Sequence, residues 1–160
     1  MNNIHVDCVL DAKANLGEGP IWSIKDQNLY WVDINNCHLC KFNPVNGENI
    51  TINVGKPIGC FAIKKNLNII LALTNGFFEL NQNDKSMNFI NNPDTNILDN
   101  RFNDGTVDLK GRFYAGTMPI SGSNIKSKPK GSLYCLDRSG KVKKTMEGFH
   151  TINGLAFSPE

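Results

Sequence analysis

Residues 100–118 read N-R-F-N-D-G-T-V-D-L-K-G-R-F-Y-A-G-T-M and predict a β-hairpin with a polar entrance. Two runs that contain aromatic and β-branched residues flank the turn signal Lys110-Gly111, and this pattern is typical of paired antiparallel strands. Arg101, Asn103 and Asp104 fall within four positions near the start of the stretch. Because polar side chains crowded before a hairpin usually lie at the rim of a fold, we expect them to bind a ligand there.

The strand–turn–strand pattern of this stretch recurs along the chain. At intervals of 40–49 residues, copies begin at Gly19, Gly59, Asp104 and Asn153. Further strand-like runs follow in the first three copies, at residues 38–44, 77–81 and 132–137. Four-stranded units with a period of roughly 40–50 residues are typical of a β-propeller. The predicted fold is therefore all-β, with about three four-stranded blades plus the first strand of a fourth.

The composition is that of a soluble globular protein, with 40% apolar and 20% charged residues. A net charge of +2 favours neither a nucleic-acid partner nor an anionic membrane surface. No apolar run approaches the roughly 18–20 residues needed to cross a bilayer, and the first residues lack the pattern of a signal peptide. The five cysteines are odd in number and widely spaced, which favours free thiols and a cytoplasmic location.

A propeller blade buries its faces against its neighbours, and closure of the ring takes typically 4–8 blades. We expect Trp22, Trp31, Phe42 and Phe113 to be core residues between blades. Three blades and one further strand would leave two apolar faces open, and apolar patches of that size favour association. The sequence therefore predicts either a truncated propeller or one that self-associates through its open blade faces.

Five segments, taken in order, resemble the family of regucalcin, senescence marker protein, gluconolactonase and luciferin-regenerating enzyme. The segments are LGEGPIW (16–22), YWVDI (30–34), NRFNDG (100–105), RFYAGTM (112–118) and NGLAFS (153–158). The resemblance implies a six-bladed propeller that binds one divalent metal ion (calcium, zinc, magnesium or manganese) near its axis and hydrolyses small sugar lactones. Six blades need about 250–300 residues. Residues 1–160 are thus expected to form the N-terminal half of such a propeller, with no separate second domain.

The resemblance also assigns the residues of a candidate site. It makes Glu18 and Asn153 metal ligands, and their oxygen atoms suit hard cations such as calcium and magnesium. It makes Arg101 and Asn103 substrate contacts, since an arginine presents several N–H donors to carbonyl or hydroxyl oxygens. From the local sequence alone, the same positions are also compatible with ordinary loop residues and an Asn-Gly turn. Asp104 is expected to stabilise a turn by accepting backbone N–H groups.

Two departures from the family pattern affect the expected activity. Ser121 stands where the family has a carboxylate that contacts substrate, so the substrate preference is open. The family's general base is an aspartate in the fifth blade, which would lie beyond Glu160. We therefore expect a divalent-metal-dependent sugar lactone hydrolase that is weakly active or inactive as this chain. The alternatives are a non-enzymatic calcium-binding regulatory protein and a decayed half-propeller.

Overall fold

The computed structural model describes residues 4–122 and 126–159, and its strands form three antiparallel sheets of four strands each. Blade 1 consists of β1 (Gly17–Ser23), β2 (Asn28–Asp33), β3 (His38–Phe42) and β4 (Asn49–Asn53). Blade 2 consists of β5 (Ile58–Ile63), β6 (Ile69–Leu73), β7 (Gly76–Leu80) and β8 (Met87–Asn91). Blade 3 consists of β9 (Asn100–Val107), β10 (Phe113–Pro119), β11 (Gly131–Leu136) and β12 (Val142–Phe149). The predicted all-β propeller with three four-stranded blades is confirmed.

Within each blade the strands pair in chain order, so every connection is a hairpin between neighbours. No helix occurs in the two described ranges, and thus none there has the length and hydrophobicity to span a bilayer. All five cysteines are free thiols, as the sequence predicts. The fold therefore rests on the packing of blades against one another.

Blade 2 is covered on both faces, and the sequence of β6 shows how. Its five residues form a continuous apolar run, and all of them are buried. Since alternate side chains of a strand point to opposite faces, Ile69 and Leu71 pack with Tyr30 of blade 1. Ile70 and Ala72 belong instead to the cluster shared with blade 3. Because β6 is buried on both faces, all of its residues are apolar, without the usual alternation of apolar and polar residues.

An aromatic cluster joins blade 2 to blade 3. The ring centroids of Phe77 and Phe102 lie 4.6 Å apart, and those of Phe102 and Tyr134 lie 6.1 Å apart. Such ring pairs contribute about 0.5–1.5 kcal/mol beyond the burial of their area. The Tyr134 hydroxyl also donates to the Asp94 carboxylate, which satisfies the polar end of a side chain that is otherwise fully buried.

The four aromatic residues expected in the core are not equivalent. Phe42 and Phe113 are buried, and Trp31 is half-buried. Trp22 is 45% exposed, so its assignment to the core between blades is wrong. Trp22 pairs with Leu29 on β2, one position from the buried Tyr30, and strand alternation therefore turns it away from blade 2.

The fourth repeat follows blade 3 but forms no strand within the described residues up to 159. A strand requires hydrogen bonds to a neighbouring strand, and this segment pairs with none in that part of the chain. Side-chain contacts hold it instead. Ile152 is 5% exposed and lies against Gly116, while the rings of Phe157 and Tyr114 are 4.9 Å apart.

The first strand of each blade lies innermost, and β5 contacts both β1 and β9. β5 approaches β9 closely at Gly59. A Cβ atom at this position would overlap the backbone of Phe102. Because backbone atoms cannot rotate away as a side chain can, only glycine fits between the two inner strands here.

We expect Gly59→Ala to separate blades 2 and 3 locally and to lower the free energy of unfolding by about 1–3 kcal/mol, the usual cost of overpacking. Urea denaturation followed by circular dichroism measures this loss. Gly17→Ala is the matched control, because its Cβ would meet Ala14 at an ordinary 3.4 Å. Equal stability of the two variants would contradict the account of this contact.

Candidate functional site

Each inner strand carries one extra residue, and these irregularities lie at corresponding places. The pairing register shifts between Glu18 and Ile21 in β1, and between Ile58 and Cys60 in β5. In β9, Asn103 and Asp104 together lie opposite Gly116 of β10. A β-bulge of this kind bends the strand and redirects its side chains, and bulges are common next to active sites. The three bulges meet at one end of the inner strands.

A small cavity of about 100 Å³ lies between the bulges. It is lined by Leu16, Glu18, Gly19, Ile34, Gly59, Asn103, Asp104 and Asn153. The structure thus brings together three of the four residues that the sequence assigned to a site, from segments far apart in the chain. The cavity has room for a cation and a small number of water molecules.

Glu18 and Asn153 provide the oxygen atoms available to a cation. Neither side chain makes a hydrogen bond to another described residue, and both are exposed. A carboxylate and an amide carbonyl are the ligand types that calcium and magnesium prefer, so this pair fits a divalent cation. Calcium takes six to eight oxygen ligands, and the rest would come from water, substrate or other protein atoms. Within the described ranges, no group of three or more His, Cys, Asp or Glu side chains forms a metal centre.

Arg101 and Asn103 form a hydrogen-bonded pair on β9. The Arg101 guanidinium donates to the Asn103 Oδ1 atom (3.1 Å) and to the carbonyl oxygen of Phe102 (2.9 Å). The Asn103 Nδ2 atom donates to the carbonyl oxygen of Ile152 (3.0 Å). Asn103 lines the cavity, whereas Arg101 is not among the lining residues and is linked to them by its hydrogen bond to Asn103. Their roles toward substrate stay predictions.

The Arg101 charge is only partly compensated. Burial lowers the pKa of the guanidinium from its ordinary value, which reflects the loss of water around the charge. No carboxylate among the described residues forms a salt bridge with Arg101, and both of its observed acceptors are neutral oxygens. A half-buried cation of this kind is suited to further oxygen acceptors on a ligand.

Asp104 has a different role from the one predicted. It accepts backbone N–H groups, as expected, but it lies in the β9 bulge and not in a turn. Its Oδ1 atom accepts from Gly105 N (2.7 Å), and its Oδ2 atom accepts from Gly154 N (2.6 Å) and Leu155 N (3.2 Å). Sequence reasoning missed this bridge because the partners lie 50 and 51 positions further along the chain. The repeat pattern, which places residues 104 and 153 at equivalent starts, was the one available signal.

Ser121 follows β10 and lies outside the cavity lining. Its hydroxyl donates to the Asp99 Oδ2 atom at 3.2 Å. A carboxylate is therefore present beside the position where the family resemblance expects one, although Asp99 supplies it from the segment before β9.

Cys60 lies in β5 next to Gly59 and is 4% exposed. Burial raises the pKa of its thiol well above the ordinary value, and the nearby Asp104 carboxylate adds to the shift. The Cys60 side chain packs between β5 and β9, where its sulfur lies against Gly105, and its raised pKa favours the neutral thiol.

Comparison with known proteins identifies relatives along the whole chain. The family model described as the SMP-30/Gluconolactonase/LRE-like region matches residues 16–160. A regucalcin from Xenopus laevis is 35% identical over 159 residues, which cover 99% of this chain and 53% of the relative. A 6-deoxy-6-sulfogluconolactonase from Pseudomonas putida is 32% identical over 158 residues, again 99% of this chain and 53% of the relative.

A solved structure shows the same fold. A luciferin-regenerating enzyme superposes with a TM-score of 0.82 at 29% identity, covering 90% of this chain and 49% of that one. The chain therefore spans about half the length of the curated relatives that it matches. The match over residues 16–160 establishes that the chain belongs to the SMP-30/gluconolactonase/LRE-like family.

Proposed function

We propose that the chain supplies the cation-binding and substrate-binding residues of a divalent-metal-dependent sugar lactone hydrolase. The observation that carries the proposal is the shared cavity, where Glu18 and Asn153 from distant repeats present oxygen atoms that no described residue engages, beside Asn103. The Pseudomonas putida relative is named as a sulfogluconolactonase, which supports a lactone as the substrate class.

Two of the side chains would bind the cation, and the other two would bind the sugar. Glu18 and Asn153 would hold the cation, which when bound polarises a substrate carbonyl and lowers the pKa of a bound water. Arg101 presents its remaining N–H donors to sugar oxygens. Asn103 keeps one N–H and one lone pair free of the contacts to Arg101 and Ile152, so it can still donate and accept one hydrogen bond.

We assign no general base among these residues. Asp104 lines the cavity, but three backbone N–H groups occupy its carboxylate. Glu18 is the other carboxylate in the lining, and it is proposed to hold the cation. General-base catalysis typically contributes a factor of ~10²–10⁴, so we propose that the chain alone is weakly active or inactive.

We expect the 160-residue chain, saturated with Mn²⁺, to hydrolyse D-glucono-1,5-lactone little faster than buffer. Proton release in a pH-stat, corrected for spontaneous hydrolysis, gives the rate. A turnover number in the ordinary enzymatic range of roughly 1–10³ s⁻¹ would contradict the placement of the general base outside these residues.

We expect Glu18→Gln and Asn153→Ala each to weaken Mn²⁺ binding by more than about tenfold, because even residues that only support metal ligands cost 10–100-fold when lost. Isothermal titration calorimetry measures the dissociation constant. Glu48→Gln is the matched control, since Glu48 is an exposed glutamate outside the cavity lining. Equal affinity in all three variants would refute the cation site.

We expect Arg101→Met to weaken binding of the stable analogue D-glucono-1,5-lactam by roughly tenfold or more, the equivalent of one charge-assisted hydrogen bond. Arg101→Lys should be intermediate, because lysine keeps the charge but not the planar set of donors. Arg138→Met removes an exposed arginine from the β11–β12 turn and serves as the control. If Arg101→Met and Arg138→Met bind the lactam equally well, Arg101 is not a substrate contact.

A further inference from the structure

We infer that Asp104 is a positioning residue, whose carboxylate accepts the backbone N–H groups of Gly154 and Leu155 and thereby keeps Asn153 at the cavity. The inference rests on the proposed function, since it takes Asn153 as a cation ligand. Asp104 makes the contact that brings the fourth repeat to the other three, and the proposed cation ligands make no such contact themselves.

Asn153 cannot hold its own position. Its side chain is exposed and makes no hydrogen bond to another described residue. No strand ladder holds residues 151–159 either. The location of the Asn153 amide is therefore determined by what its neighbours contact.

Asp104 makes two of these neighbouring contacts. Its Oδ2 atom accepts both Gly154 N (2.6 Å) and Leu155 N (3.2 Å). Two successive backbone N–H groups that converge on one anion form a nest, and this requires a residue with positive φ. Gly154 has a φ of 71°, which meets the requirement. Hydrogen bonds to an ionised carboxylate are about twice as strong as bonds between neutral groups.

Two further contacts fix the residue before Asn153. The Ile152 carbonyl oxygen accepts Asn103 Nδ2 at 3.0 Å, and the Ile152 side chain is 5% exposed. It fills the space above Gly116, where a Cβ atom would overlap it. Asn153 is thus held on one side by Ile152 and on the other by the nest around Asp104.

An amide cannot replace the Asp104 carboxylate. The two carboxylate oxygens accept N–H groups on opposite sides, Gly105 on one and Gly154 with Leu155 on the other. In Asp104→Asn, either orientation of the side chain places its NH₂ group against a backbone N–H donor. The substitution therefore removes at least one contact while it keeps the shape of the residue.

The nest can also be disrupted at Gly154, whose positive φ it needs. A Cβ atom at Gly154 would meet nothing within 4 Å, so Gly154→Ala introduces no clash. Because an L-residue disfavours positive φ, the variant changes only the backbone preference. It is the second variant that tests the same contact if Asp104→Asn folds poorly.

The experiment compares wild type, Asp104→Asn, Gly154→Ala and the double variant in the 160-residue chain. Mn²⁺ affinity is measured by calorimetry, and exchange of the Gly154 and Leu155 amides by hydrogen–deuterium exchange with NMR detection. We expect each single variant to lose roughly 10–100-fold in Mn²⁺ affinity and to lose protection at these two amides. The double variant should be little worse than either single one, because both remove one shared contact. Asp108→Asn is the control, since Asp108 serves only the β9–β10 turn and Arg112.

The possible outcomes separate this inference from the proposed function. Loss of amide protection with unchanged Mn²⁺ affinity overturns the inference, and so do additive losses in the double variant. If wild type binds no Mn²⁺, the proposed function fails. In that case amide exchange alone still decides whether Asp104 holds the segment, and unchanged protection in Asp104→Asn overturns it.

Discussion

The site depends on the close approach of two backbones, β5 at Gly59 and β9 at Phe102. No side chain separates the strands there, and the Phe102 ring packs against Phe77 of blade 2. On the other side, the bulges of the three inner strands meet around one small cavity. The same glycine therefore serves blade packing and forms part of the cavity wall. In a propeller, the site lies where the first strands of the blades converge. In this chain, the Gly59–Phe102 contact determines how closely β5 and β9 approach each other there.

Two carboxylates line this cavity, and their surroundings give them opposite roles. Three backbone N–H groups satisfy Asp104, so it is available to hold protein and not to bind a ligand. Glu18 lies in a bulge next to Gly19 and has no such partners among the described residues, so its oxygens remain open. Two carboxylates thus differ in their contacts: Asp104 accepts backbone N–H groups, whereas Glu18 accepts no hydrogen bond from a described residue.

The sequence predicted much of the fold, because its signals are local and periodic. The repeat starts at Gly19, Gly59 and Asp104 fall in the inner strands of the three blades. Exposure was less predictable. Trp22 lies on the side of blade 1 away from blade 2, and no local pattern states which face of a strand a neighbouring blade will cover. The bulges were equally invisible, since one extra residue appears only when two strands are paired.

The candidate site, like the fold, could be predicted only in part. The family resemblance selected Glu18, Asn103 and Asn153, and the structure places all three at one cavity, although their roles stay predictions. Arg101 does not line the cavity but donates a hydrogen bond to Asn103, which does, and the motif alone did not indicate this. The bridge from Asp104 to the fourth repeat joins residues about fifty positions apart, and neither propensity nor spacing specifies such a contact.

The proposed function requires one divalent cation to bind between Glu18 and Asn153. Paramagnetic broadening by substoichiometric Mn²⁺ in ¹⁵N–¹H spectra tests it most directly, because broadening falls off steeply with distance from the ion. We expect the Asn153 side-chain amide and the backbone signals of Glu18 and Gly59 to disappear first. Broadening that is centred on the exposed N-terminal carboxylates of Asp7 and Asp11, or spread evenly over the chain, would contradict it.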